Sequence, residues 1–199
     1  MSKTRSRSAR LERKTGETAV SVSLDLDGDG RTAIRTGIGF FDHMLDHLGR
    51  HGLLSLKVSA TGDVQVDDHH TVEDCGICLG QAVRQALGGK QGIRRFGWAA
   101  VPMEESLANV AVDLSGRPFV VFNVPFATPK VGTFDVALVE EFCRALANNA
   151  AINVHVCVSR GGNDHHAAEA IFKALGLALR MAAERDPRSG DVPSTKGTL

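Results

Sequence analysis

Residues 17–28 read ETAVSVSLDLDG, and residues 105–116 read ESLANVAVDLSG. Both alternate polar with apolar side chains and close on Asp-Leu-x-Gly. Period-two alternation ended by a Gly-containing turn predicts a strand entering a hairpin. The correspondence continues downstream. A second strand follows each, RTAIRTG (31–37) or RPFVVFNVP (117–125), and then a short helical segment, FFDHMLDHLGRHG (40–52) or FDVALVEEFCRALANNA (134–150). A returning strand comes next, LLSLKVSATG (53–62) or AINVHVCVSRG (151–161), and a long helix closes each half over 68–88 or 164–184. The order β-β-α-β-α is therefore written twice. Duplicated units of this size bury their apolar faces against one another, and antiparallel hairpins with helices on one face make an α+β fold. The predicted organisation is a flexible basic tail (1–14), a first repeat (15–96), a second repeat (97–186) and a C-terminal tail (187–199).

The bulk properties exclude several classes. The chain has 199 residues and is 43% hydrophobic, enough for a packed core, but no apolar run approaches the ~18–20 residues of a membrane span. The basic start, MSKTRSRSAR, lacks the apolar stretch of a secretory signal. Zero formal net charge and a pI of about 7.1 supply no global field for nucleic acid or a membrane surface. Cysteines at 75, 78, 143 and 157 suit free thiols in a reducing cytoplasm. The C-x-x-C of Cys75 and Cys78 lies inside a predicted helix without a second pair, and reads as core. GGKQG (88–92) lacks the Walker spacing, so no nucleotide is expected. DLDGDG (25–30) imitates the start of a calcium loop, but its twelfth position is Thr36, which cannot supply a bidentate carboxylate. It reads as a hairpin turn.

The chemistry lies in a second repetition. Asp-His-His-x-x-Glu occurs at Asp68, His69, His70 and Glu73, and again at Asp164, His165, His166 and Glu169. Asp68 and Asp164 are expected as N-caps. Residues four apart share a helix face, so His69 stacks over Glu73 and His165 over Glu169. His70 and His166 sit roughly 100° around each helix. Each motif thus offers a two-ligand grip and a one-ligand grip pointing apart, and two such helices facing each other could build two metal sites. Imidazole nitrogen with carboxylate oxygen and no thiolate suits Mn, Fe or Zn. A third ligand should come from the shorter helix of each half, His43 in the first and Glu141 in the second, with Glu140 competing. His47 and His51 share the face of His43 as weaker alternatives. A metal-dependent phosphoesterase would need further Asp clusters at strand ends, which are missing. A third reading is a scaffold that metal ions staple together.

Six stretches carry a resemblance over essentially the whole chain: TGIGFFDHMLDHL (36–48), DDHHTVEDCGICLGQA (67–82), GIRRFG (92–97), DLSGRP (113–118), NDHHAAEAIFKALGLALR (163–180) and PSTKG (193–197). Together they resemble the imidazoleglycerol-phosphate dehydratases of histidine biosynthesis. The resemblance implies a fold like the second domain of ribosomal protein S5, and conversion of D-erythro-imidazole-glycerol phosphate to imidazole-acetol phosphate and water. It also implies two Mn2+ per active site and a homo-oligomer, a 24-mer with sites at subunit contacts. One ion would be held by His43, His70, His165 and Glu169, the other by His69, Glu73, His166 and residue 141. The family often has His where this chain has Glu141, and a carboxylate remains a competent ligand. The proton to be lost sits on a carbon with no carbonyl to acidify it, so a metal-stabilised imidazolate is expected to push out the neighbouring hydroxyl. By resemblance Glu17 is at the substrate as the base. Arg95, Arg117, Lys173, Ser194 and Lys196 would hold the phosphate.

Overall fold

The computed structural model describes residues 7–199. The first repeat comprises β1 (Ser8–Lys14), β2 (Thr18–Asp25), β3 (Thr32–Arg35), α1 (Gly39–Gly52), β4 (Ser55–Gly62) and α2 (His69–Leu87). The second comprises β5 (Phe96–Met103), β6 (Ser106–Asp113), β7 (Phe119–Asn123), a small ribbon of β8 (Lys130–Val131) and β9 (Phe134–Asp135), α3 (Ala137–Ala150), β10 (Asn153–Arg160) and α4 (Asp164–Ala183). The duplication predicted from sequence is present, but each unit begins with a further strand. The basic tail expected over 1–14 falls partly outside the described residues; from Ser8 onward it is β1, paired antiparallel with β2 from Ser8↔Asp25 to Lys14↔Ala19. As an edge strand β1 exposes most of its side chains, so it lacks the apolar alternation that marks β2.

The two sheets are ordered β1-β2-β4-β3 and β5-β6-β10-β7. This corrects the hairpin expected at residues 25–30. β2 turns not into β3 but over the end of β4, which pairs antiparallel with β2 and parallel with β3. The two strands with the strongest buried alternation, Val20-Val22-Leu24 and Leu56-Val58, take the middle of the sheet, where burial of apolar area contributes most. Gly28 permits the crossing, because a Cβ there would lie 2.2 Å from the backbone nitrogen of Ser55.

Each helix pair covers its own sheet, and the pairs pack on each other crosswise, α2 against α3 and α1 against α4. A chain of aromatic contacts welds the repeats: Phe41 of α1 lies 5.4 Å from Phe142 of α3, which lies 5.2 Å from Phe172 of α4. Cys75, Cys78 and Cys143 are buried free thiols in this core, and burial pushes Cys78 up to about 11, which suppresses thiolate chemistry. Among the described residues no helix is long and apolar enough to cross a membrane.

The α1–α4 contact is backbone on backbone. A Cβ on Gly176 would sit 2.5 Å from the Leu48 carbonyl oxygen and 2.9 Å from the Gly52 nitrogen. Gly176→Ala must push the helices apart and is expected to cost about 1–3 kcal/mol, read as a lowered denaturant midpoint. An unchanged midpoint would show that the helix pair has slack.

Candidate active site

α1 presents His43 and His47 one turn apart, and α4 presents His165 and Glu169 in the same way. Their packing gathers all four around the Glu169 carboxylate, which is 8% exposed. Its Oε1 lies 3.1 Å from His47 Nε2 and 2.6 Å from Lys173 Nζ. Its Oε2 lies 3.3 Å from His165 Nε2 and 3.6 Å from His43 Nε2. His43, His47 and Glu169 bring one ligand atom each within 4.8 Å of one another, and no other such trio occurs among the described residues.

The electrostatics of this cluster suit a cation. Burial pushes His47 down to about 4; the Glu169 charge opposes the shift, while His43, Lys173 and His51 reinforce it. At neutral pH the ring is therefore uncharged and keeps a nitrogen lone pair, and its buried Nδ1 has no hydrogen-bond partner. Burial also works against ionisation of Glu169, but the Lys173 hydrogen bond and the charges of His47, Lys173 and His43 outweigh it and hold the carboxyl below its ordinary range. A buried carboxylate ringed by three imidazole nitrogens is a donor set that fits Mn2+, Fe2+ or Zn2+.

His70 lies elsewhere. Glu17 immediately precedes β2 and Asp63 immediately follows β4; because Thr18 pairs with Gly62, both carboxylates arrive at the first turn of α2. His70 Nδ1 is 3.0 and 3.2 Å from the Asp63 oxygens, and its Nε2 is 3.8 Å from Glu17 Oε1. The Asp63 hydrogen bond raises the His70 pKa. In the second repeat His166 Nδ1 meets Glu105 Oε2 at 3.0 Å, while Glu105 Oε1 accepts from the Asn163 backbone N–H at 2.9 Å and the Ser106 hydroxyl at 3.1 Å. Hydrogen bonds from its own backbone N–H, from His166, Asn163 and Ser106 hold the Glu105 carboxyl down at about 2.

The remaining expected ligands are placed but not gathered. His69 is exposed at the start of α2; its backbone N–H donates to Asp67, and its ring meets only the neighbouring His70 ring, edge-on at 6.1 Å, among the described residues. Glu73 and Glu141 are half-buried on the packed helices α2 and α3 and make no side-chain hydrogen bond among the described residues. Glu140 accepts from Arg144 at 2.9 Å on its own helix, which leaves Glu141 the freer of the two. α2 and α4 do not face each other as expected, since each packs on the short helix of the opposite repeat. His51 is one turn beyond His47, ring to ring at 5.7 Å, and outside the Glu169 cluster.

The capping expectation needs the same kind of correction. Asp68 makes no side-chain cap bond, and the neighbouring Asp67 accepts from the His69 N–H at 2.8 Å. α4 is capped by Asn163, which accepts from the His165 N–H. Asp164 instead accepts from the Ala127 N–H at 2.9 Å and the Thr128 N–H at 2.7 Å, tying the loop before β8 to the site.

Of the residues expected at the phosphate, Arg95 pairs with Asp113 at 2.7 and 3.2 Å and donates from Nη1 to the Pro193 carbonyl at 2.9 Å. That bond brings the segment of Ser194 and Lys196 to Arg95, and Leu199 reaches Gly116, next to Arg117. Lys173 stands apart, on Glu169. Sequence reasoning missed Asp63 and Glu105 altogether, and ranked His47 below its geometry. Only the alignment of Glu105 with Glu17 in the two copies could have flagged any of them.

A model of the imidazoleglycerol-phosphate dehydratase family matches residues 36–179. The chain is 60% identical over 194 residues to the imidazoleglycerol-phosphate dehydratase of Granulibacter bethesdensis, covering 97% of this chain and 99% of that protein. It is 56% identical to the Cereibacter sphaeroides enzyme, over 97% and 100%. The crystal structure of the Staphylococcus aureus dehydratase superposes with a TM-score of 0.82 at 42% identity, covering 90% of this chain and 99% of that one. The Pyrococcus furiosus enzyme, crystallised with (S)-C348, gives 0.83 at 35% identity, covering 95% and 100%.

Proposed function

Since the chain belongs to the imidazoleglycerol-phosphate dehydratases, lyases of histidine biosynthesis, we propose that it works with two Mn2+ per active site and that Glu17 is its base. The observation that carries this reading is the convergence of His43, His165 and Glu169 in one chain while His70 stands with Glu17 at the first turn of another helix, outside that cluster. One expected ligand set is thus three-quarters assembled, and its fourth member sits beside the expected base. Two copies of the chain, one supplying the Glu169 cluster and the other His70 with Glu17, complete the site. That favours a homo-oligomer with shared sites, for which we propose the 24-mer, working in the cytoplasm. In the second set neither Glu73 nor Glu141 makes a side-chain hydrogen bond or ion pair among the described residues, which supports their use with His69 and His166.

When bound, the cations supply Lewis-acid charge that favours an anionic imidazole ring. The protein does the rest. Glu17 takes the proton from the carbon next to the one that loses hydroxyl, and the resulting enol relaxes to the ketone. Arg95, oriented by Asp113, keeps N–H donors for phosphate beyond those given to Asp113 and Pro193. Arg117, Lys173, Ser194 and Lys196 complete the grip. Metal-loaded protein incubated with imidazole-glycerol phosphate should form the enol–ketone product; release of inorganic phosphate would instead support a phosphoesterase.

Arg95 ties the C-terminal segment to this phosphate site through Pro193. Deleting residues 193–199 is expected to raise KM at least tenfold with metal content unchanged. Steady-state kinetics and metal analysis check both, and an unaltered KM would remove the segment from the site.

A further inference from the structure

Neutral imidazole carries one N–H and one lone pair, so a ligating histidine must be told which nitrogen keeps its proton. His70 and His166 receive that instruction from different parts of the chain. Asp63 faces Nδ1 of His70 at 3.0 and 3.2 Å, and Glu105 faces Nδ1 of His166 at 3.0 Å. We infer that Asp63 and Glu105 are positioning residues: each carboxylate keeps the proton on Nδ1 and turns Nε2 of its ring outward as a cation ligand. This inference rests on the metal reading above.

The wiring of the two repeats supports it. Glu105 is the counterpart of Glu17 in the aligned strands ETAV and ESLA. In the first repeat Asp63 takes Nδ1 of His70, which leaves Glu17 56% exposed near Nε2. In the second repeat the returning strand is followed by Gly161 and Gly162, with no carboxylate. There the side chain of Glu105 lies across Gly162, where an added Cβ would meet its Cγ at 3.2 Å, and takes over Nδ1 of His166. The duplicated glutamate thus performs two jobs. In one copy it stands on the open side of the ring; in the other it is consumed behind the ring. Among the described residues the Asp63 side chain hydrogen-bonds to nothing but His70, whereas Glu105 also accepts from the Asn163 N–H and the Ser106 hydroxyl. A carboxylate behind a ligating imidazole also makes its other nitrogen a better donor, and losing such a partner typically weakens metal binding by about 10–100-fold.

The test is Mn2+ binding to the full-length, assembled protein, followed by calorimetry and by the Mn2+ paramagnetic resonance spectrum. Asp63→Ala should weaken one of the two ions by about 10–100-fold and alter its spectrum, with the melting point of the metal-stripped protein unchanged. Asp63→Asn, which keeps an acceptor oxygen for the Nδ1 proton, should restore affinity to within a few-fold of the parent. Glu105→Ala should weaken the other ion. Parent-like affinity and spectrum in Asp63→Ala would overturn the inference while leaving the metal reading intact, as would an Asp63→Asn as impaired as the alanine variant. A parent protein that binds no Mn2+ would sink the two-cation reading first, and this inference with it.

Discussion

Glu17→Gln is expected to lower kcat by about 10²–10⁴-fold, the range that a positioned general base contributes, with two Mn2+ still bound per chain. The amide keeps the size of the side chain and loses its basicity. The Glu17 carboxylate is 56% exposed and none of the described side chains holds it tightly, its nearest ionic partner being His70 at 3.8 Å, so folding should not suffer. No neighbour stands ready to replace it. Asp63 is 19% exposed and bonded to His70 through both oxygens, and Glu105 is bonded to His166, Asn163 and Ser106. KM should move little, because the amide keeps the size of the side chain and an acceptor oxygen. Parallel kinetics and metal analysis would decide: near-parental turnover removes Glu17 from the chemistry, whereas loss of metal would recast it as a ligand.

The second large effect is expected at Glu169. Alanine there leaves His43, His47 and His165 without the carboxylate they surround, and leaves Lys173 without its closest partner. A direct ligand is lost rather than an outer contact, so Mn2+ affinity at that site should fall by more than the roughly 10–100-fold typical of outer partners. Bound metal should drop from two ions to one, and turnover should become undetectable. Chelation of the parent protein should mimic the variant, and added Mn2+ should rescue the parent alone. Full activity in a protein binding one ion would show that the Glu169 cluster is not part of the active site. Lys173 provides an internal comparison, because it touches the same oxygen as His47 but has no lone pair to offer a cation.

Much of this was legible along the chain. The duplicated order of elements followed from period-two and period-3.6 patterning, and α1, α2, α3, α4, β4 and β10 fall within a few residues of their expected positions. The strands that patterning missed are edge strands, and the pairing it misjudged was decided by competition between strands distant in the chain. β1 is a polar edge strand that gains its place only by pairing with β2. The 25–30 turn has the residues of a hairpin yet serves a crossover, because β4 competes successfully for the middle of the sheet. Local sequence cannot rank such competitors, since the outcome depends on which pairing buries the most apolar surface.

The same division runs through the candidate site. Sequence alone determined the doubling of the unit, and which histidines share a helix face with which glutamates, because i and i+4 are joined by the covalent geometry of the helix. It also determined that the candidate ligands offer nitrogen and oxygen and no thiolate. Only the tertiary structure decided that α4 meets α1 rather than α2, that His47 joins His43 at Glu169, and that Asp63 and Glu105 stand behind His70 and His166. Those contacts join residues far apart in the chain, and they exist because two backbones can touch at Gly52 and Gly176 and because neighbouring strand ends converge on one helix terminus. No periodicity in the sequence encodes that close packing; it is set by volume and shape once the layers come together.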